Sequence, residues 1–157
     1  MIVVLSDIRS AHNVGSIFRT ADAVGAEKII LCGVTPAPSD RYGRTVLDIE
    51  KAALGAEKTV PWEKADSVVR TINKLKKDGW RVIAVEQDAD SVAIDKISMK
   101  KEQKIAFILG NEVDGLSKKI LKLVNDIIEI PMFGEKESLN VSVAFGVVAY
   151  AWKMVNK

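Results

Sequence analysis

The sequence predicts an α/β protein built on a mostly parallel sheet, and three observations carry that reading. Short apolar runs recur along the chain, at residues 2–5, 28–32, 80–85, 105–109 and 126–130. Segments with apolar residues at helical spacing lie between them. Strands apolar on both faces and alternating with helices belong to parallel sheets covered on both sides. No internal repeat, low-complexity tract or linker interrupts the 157 residues. A single domain is expected, large enough to bury a real core.

Composition narrows the class. Hydrophobic residues make up 48% and charged residues 28%, the balance of a soluble globular protein. The formal charge is only +2, and bases are interleaved with acids without a basic tail. Any nucleic-acid surface must therefore come from folding or from dimer assembly. Cys32 is the single cysteine and lies in an apolar run, so it makes no intrachain disulfide or zinc site, which fits a reducing cytoplasm. The first five residues lack a basic n-region and are too short for a signal peptide. Residues 141–152 are apolar but fall short of the roughly 20 needed to span a bilayer. A cytoplasmic protein without a membrane partner is expected.

Taken in order, residues 2–5 read as a buried strand, followed by the polar group Asp7, Arg9, Ser10, His12 and Asn13. A helix is predicted over residues 13–24, with Val14, Ile17, Phe18 and Ala21 at helical spacing and Gly25 at C′. Gly15, in the first turn, costs up to roughly 1 kcal/mol relative to alanine, so something must approach the backbone there. Arg19 lies about 140° around the helix from Val14, off the apolar stripe. The plain expectation pairs it with Asp22 at i,i+3. Residues 28–32 are a second strand, and residues 34–42, with two prolines, are a loop. A helix over 45–54 ends at Gly55, and a short strand or extended segment is expected at 59–62. Residues 66–77 form an amphipathic helix with Val68, Val69, Ile72 and Leu75 inward, closed by Gly79. Strand 80–85 follows, then a polar, irregular stretch over 87–103, strand 105–109, a turn at 110–115 and a short basic helix over 117–123.

The last strand stops at Pro131, which cannot donate to a ladder and holds Ile130 extended. A loop then leads to Ser138 and Asn140, both good helix caps. Residues 141–152 are apolar nearly all round, so that helix is expected to be buried on more than one side. Polar groups on a tight loop between a buried strand and a buried helix suit a ligand site. An ordinary capped connection is the plainer alternative. Ligands of parallel sheets sit beyond the carboxyl ends of the strands. Gly33, Glu86, the turn from Gly110 to Gly115 and residues 131–140 all follow strands and could share that edge. The turn is neither a Walker loop nor a calcium loop, and no glycine-rich dinucleotide turn follows the first strand.

Asn13…Arg19-Thr20-Ala21-Asp22, then Leu109-Gly110-Asn111-Glu112, then Ile130-Pro131-Met132…Ser138-Leu139-Asn140-Val141 stand in this order along the chain. Together they resemble the three motifs of the SpoU/TrmH family of RNA ribose 2′-O-methyltransferases, within the SPOUT superfamily. Lys51-Ala52-Ala53-Leu54-Gly55-Ala56 also looks like the family, and the resemblance runs from Ile2 to the last helix. It implies a SPOUT α/β-knot: a mostly parallel sheet, helices on both faces and a C-terminal trefoil knot. It also implies one domain over 1–157 with no N-terminal RNA-binding extension. Residues from about 105 onward would form the knot and an S-adenosylmethionine pocket. Glu86, Leu109, Gly110, Asn111, Ile130, Met132, Ser138 and Leu139 would line that pocket, with no metal. Family members are homodimers packed through the knot region, which suits the apolar last helix with its small Ala144, Gly146, Ala149 and Ala151.

The reaction the resemblance implies is attack of a ribose 2′-hydroxyl on the cofactor's methyl carbon. The first-motif residues of one subunit would complete the site beside the cofactor of the other. Arg19 matches the family's catalytic arginine, but a guanidinium is always protonated and makes an implausible base. Arg19 is therefore expected to hold the adjacent phosphate and stabilise the developing alkoxide while phosphate or water takes the proton. Asn13 and Ser138 would orient that group, Asn140 would hold the knot loop or the cofactor, and Glu112 would fix Arg19 or a neighbouring backbone. Arg9, Arg41, Arg44 and Lys51 would supply the RNA surface, with His12 equally readable as a solvated loop residue. A compact member suggests tRNA over rRNA. The alternatives are the same activity on rRNA, or a non-catalytic S-adenosylmethionine- or RNA-binding protein of this fold. The joint presence of Arg19, Asn13, Glu112, Ser138 and Asn140 argues against the last.

Overall fold

Seven strands joined by parallel pairings form the frame of the computed structural model, which describes residues 1–97 and 104–155. In chain order the elements are β1 (Ile2–Ser6), α1 (Ala11–Val24), β2 (Lys28–Cys32), α2 (Leu47–Ala53), α3 (Ala56–Thr59), β3 (Trp62–Ala65) and α4 (Val68–Lys77). There follow β4 (Arg81–Val85), β5 (Val92–Ala93), β6 (Ile105–Leu109), α5 (Lys118–Leu121), β7 (Asp126–Glu129) and α6 (Val141–Val155). The strand order is β3-β2-β1-β6-β4-β7-β5. The most apolar runs, β1 and β6, are buried along their whole length and lie side by side near the middle. The mixed sequences of β3 and β5 take the two edges.

Period-two alternation divides the strand residues between two hydrophobic clusters. Val3, Leu5, Leu31 and Phe107 join Ile17 and Phe18 of α1 and Phe145 and Val148 of α6. Val4, Ile30, Ala84 and Ile108 join Ile72 and Leu75 of α4 and Ile120 of α5. Each of the fully buried Phe and Leu side chains contributes about 1.5–3 kcal/mol relative to exposure, and this fixes register strongly.

Local signals set the helix ends. Ser10 Oγ accepts the Asn13 N–H at 3.2 Å, so α1 starts two residues earlier than its apolar spacing suggests. It stops at Gly25, whose φ of +68° suits glycine, with the Ala26 N–H bonded back to the Ala21 carbonyl. Gly15 does answer a close approach, and the neighbour is α2. A Cβ there would stand 2.5 Å from the Ile49 carbonyl oxygen and 2.7 Å from Ala52 Cβ.

Three expectations change. The strand placed at 59–62 lies at Trp62–Ala65, because Ala56–Thr59 closes into a single helical turn with the Val60 N–H bonded to the Ala56 carbonyl. The irregular stretch contains the short β5, recruited by pairing with Ile128 and Glu129; its end, residues 98–103, lies outside the described residues. Finally, α6 buries Phe145, Val148 and Ala149 but leaves Val143, Val147, Tyr150 and Met154 exposed, so within one chain it is covered on one side only. Among the described residues no helix is long and apolar enough to cross a membrane.

Candidate active site

The turn after β6 is the rigid piece of the site. A Cβ on Gly110 would sit 2.6 Å from both the Gly115 carbonyl oxygen and the Leu116 nitrogen, so only glycine lets the chain fold back there. Asn111 Oδ1 accepts the N–H groups of Val113 and Asp114 at 2.9 and 2.8 Å, closing the turn from inside. Glu86, at the end of β4, accepts the Leu116 N–H at 2.9 Å through Oε2 and its neighbour Gln87 N–H at 3.0 Å through Oε1. Its carboxylate thus ties the end of β4 to the far side of the turn after β6.

A cavity of about 470 Å³ opens between this turn and the approach to α6, lined by Glu86, Leu109, Gly110, Asn111, Ser138 and Leu139 among others. A smaller hollow of about 130 Å³ adjoins it and adds Ile130 and Met132. The two share Val85, Glu86, Ser138, Leu139 and Ala144. Every residue expected to line a pocket therefore lines one or the other. The combined space falls in the roughly 300–1,000 Å³ range of small-molecule sites. A larger groove of about 530 Å³ lies elsewhere, between α4 and the β2–β3 side, and contains none of these residues. The adjoining pair is the stronger candidate, because the carboxyl ends of β4 and β6 converge on it with the glycine turn.

A chain of side-chain hydrogen bonds closes the rim of this space. Asn13 Nδ2 donates to Glu112 Oε1 at 3.0 Å, and Asn140 Nδ2 donates to Asn13 Oδ1 at 3.1 Å. Glu112 also accepts the Arg9 and Ser10 N–H groups at 3.3 and 3.4 Å. Asn140 Oδ1 in turn accepts the Ser142 N–H at 2.9 Å and caps α6. Partial burial pushes the Glu112 carboxyl up, but the bonds from Asn13 and from backbone N–H groups outweigh it and hold the group below the ordinary glutamate range. Residues 13, 112 and 140, far apart in sequence, are one connected unit.

The same order of segments matches a family model described as the SpoU rRNA Methylase family over residues 1–150. The chain belongs to this family. A relative from Neisseria meningitidis serogroup B, 23S rRNA (guanosine-2′-O-)-methyltransferase RlmB, is 33% identical over 148 residues, covering 94% of this chain and 56% of that protein. An AdoMet-bound rRNA methyltransferase from Sinorhizobium meliloti superposes with a TM-score of 0.87 at 30% identity, covering 98% of this chain and 55% of that one. The A. aeolicus TrmH/SpoU tRNA modifying enzyme gives 0.83 at 29% identity, covering 98% and 74%. The chain spans about half the length of the curated relatives it matches.

Of the SpoU motif residues, Asn13, Glu112 and Asn140 meet directly, and Ser138 lines both hollows. Glu112 holds the backbone of Arg9 and Ser10, the second of the two roles considered for it. Arg19 is exposed on α1 and lines neither hollow of its own chain. It makes no ion pair with Asp22, whose carboxylate instead accepts the Thr59 hydroxyl at 2.6 Å. Arg9, His12, Arg41, Arg44 and Lys51 are all exposed. Gly33 does not join the cavity: its N–H and carbonyl are taken by Ala65 and Lys64. Sequence reasoning missed Asp7, which sits at φ +57° and accepts the Val34 N–H at 3.1 Å, and Lys64, which donates to the carbonyls of Gly33 and Thr35. The signal for Asp7 was its place directly after a buried strand, where Asp tolerates the left-handed region. Val141 and Ala144 were read as helix interior, yet they form part of the cavity wall.

Proposed function

We propose that this chain transfers a methyl group from S-adenosylmethionine to a ribose 2′-hydroxyl of RNA. The observation that carries the reading is the Glu112–Asn13–Asn140 chain beside a glycine-cradled cavity. The cavity fits the cofactor in size. Its walls at Leu109, Ile130, Met132 and Leu139 suit an adenine, and the carboxylates of Glu86, Glu112 and Asp114 suit a cation. When bound, the cofactor supplies a methyl group already activated by its sulfonium. The protein's own task is to place the hydroxyl and manage its proton. Asn13 and Ser138 orient the hydroxyl. Arg19 clamps the neighbouring phosphate and stabilises the developing negative charge, while a phosphate oxygen or a water accepts the proton.

Arg19 reaches a cavity only across a dimer in this reading. The exposed stripe Val143, Val147, Tyr150 and Met154 on α6 supports homodimer packing through that helix. The two hydrophobic clusters support helices on both faces of the sheet, and the junction of residues 138–144 with the 110–115 turn supports a threaded C-terminal segment. We prefer tRNA as substrate: the match covers more of the tRNA modifying enzyme than of the rRNA methyltransferase at similar identity. The 33% identity to a protein named for 23S rRNA favours rRNA as the second reading. The free, buried Cys32 and an RNA substrate together support a cytoplasmic setting.

The test is mass-spectrometric counting of 2′-O-methylated nucleosides in RNA incubated with protein and cofactor. Arg19→Lys should cut turnover by roughly 100-fold or more while cofactor affinity stays level. Near-normal turnover with both substrates saturating rejects the phosphate-clamp role, since lysine lacks the planar two-donor fork that holds a phosphate bidentately.

A further inference from the structure

The loop between β2 and α2 spends much of its hydrogen bonding on holding one aromatic ring in solvent. Asp40 Oδ1 accepts the N–H groups of Tyr42 and Arg44 at 2.8 and 3.0 Å, and its Oδ2 accepts Arg44 Nε at 2.8 Å. The Asp40 and Gly43 N–H groups bond to the carbonyls of Arg44 and Asp40, both at 2.9 Å, and an antiparallel bridge joins Ser39 to Thr45. The loop is therefore an ordered hairpin. At its tip the guanidinium carbons of Arg41 and Arg44 stand 4.7 and 5.0 Å from the Tyr42 ring centroid. Tyr42 is 65% exposed and belongs to neither hydrophobic cluster.

Two guanidinium groups stand over an exposed ring on an ordered loop, so an arginine that turns onto a phosphate leaves a π face and positive charge within one short reach. The chemistry that answers both at once is an unpaired base with its adjoining phosphate. An acidic peptide would use the cations and leave the ring idle. The loop leaves β2, whose carboxyl end pairs with that of β1, and returns into α2, which packs on the helix carrying Asn13 and Arg19. It therefore stands on the edge of the sheet where the candidate site lies.

We propose that Tyr42 is a stacking platform for an unpaired base of the bound RNA, with Arg41 and Arg44 holding the phosphate beside it. The proposal rests on the RNA-methylation reading and adds the form of RNA that this loop recognises, a single strand or splayed loop.

The experiment measures binding of fluorescent oligoadenylate, and of an RNA duplex of equal length, across a salt series without cofactor. Tyr42→Leu should weaken oligoadenylate binding about tenfold, leave duplex binding little changed and keep the salt slope. Tyr42→Phe should bind as wild type. Arg41→Ala should flatten the slope by about one. Wild-type oligoadenylate affinity in Tyr42→Leu overturns the proposal. So does an equal loss on both RNAs with a flattened slope, which would mean the ring only arranges the arginines. So does a change in the number of subunits per assembly in solution, which would make the ring a protein contact. A cofactor titration of the wild-type protein reads the methylation hypothesis separately: no uptake sinks that reading and leaves the stacking result interpretable.

Discussion

Glu112 links folding to protonation at the rim of the cavity. Its carboxyl is held below the ordinary range by Asn13 and three backbone N–H groups, against an upward push from partial burial. A depressed carboxyl contributes stability that is present above its unfolded value and is lost as pH falls through its folded one. Acidification below about pH 5 should therefore lower the melting temperature of the wild-type protein. Part of that fall belongs to Asp40 and Asp88, which are also depressed, by the Arg44 N–H and the Lys118 side chain respectively. The useful quantity is the difference from Glu112→Gln, which should lose less on acidification than wild type. Parallel melting curves for the two proteins would mean the carboxylate is not held as described. At this scale the sequence offered Asn13, Glu112 and Asn140 as candidates but not their pairing. Asn13 and Asn140 are separated by 127 positions, and no local pattern encodes the bond between them.

At the scale of elements, α6 shows how a pattern can be right and its consequence incomplete. Its residues are apolar nearly all round, yet one chain covers only Phe145, Val148 and Ala149. Val143, Val147, Tyr150 and Met154 follow one another at helical spacing on the uncovered side. On the proposed packing through α6, the wild-type protein should sediment as a dimer and Val147→Glu as a monomer at unchanged helix content. A wild-type protein that is already monomeric, or a variant that stays dimeric, removes this helix from the interface. The neighbouring α1 and α2 were legible for a different reason. Gly15 inside a first helical turn is locally unfavourable, and the cost signalled a close neighbour. That the neighbour was α2 depended on the packing. The edge strand β3 was misplaced because a half-exposed Trp-Glu-Lys-Ala run lacks the apolar continuity that marked the central strands.

For the molecule as a whole, the decisive question is whether one active site draws on two subunits. Arg19 is exposed and away from its own cavity, whereas Leu139 lines both hollows. Arg19→Ala removes the guanidinium, and Leu139→Arg fills the pocket, so each homodimer should be inactive. Unfolded and refolded together, the two should regain methyl transfer, because a mixed dimer unites an intact Arg19 with an intact pocket in one of its two sites. If both belonged to the same chain, no mixture would recover, and mixtures as inactive as the parents would end the shared-site reading.

The sequence by itself determined the class of fold, the burial of the central strands and the places where the backbone turns back beyond them. These follow from local causes: apolar continuity, period, capping chemistry and glycines where the backbone must turn back on itself. The tertiary structure alone decided the strand order, the union of residues 13, 112 and 140, and the ordered hairpin that carries Tyr42 between two arginines. Those depend on which distant surfaces meet, and such meetings are set by the packing of the whole chain, which no window of sequence contains.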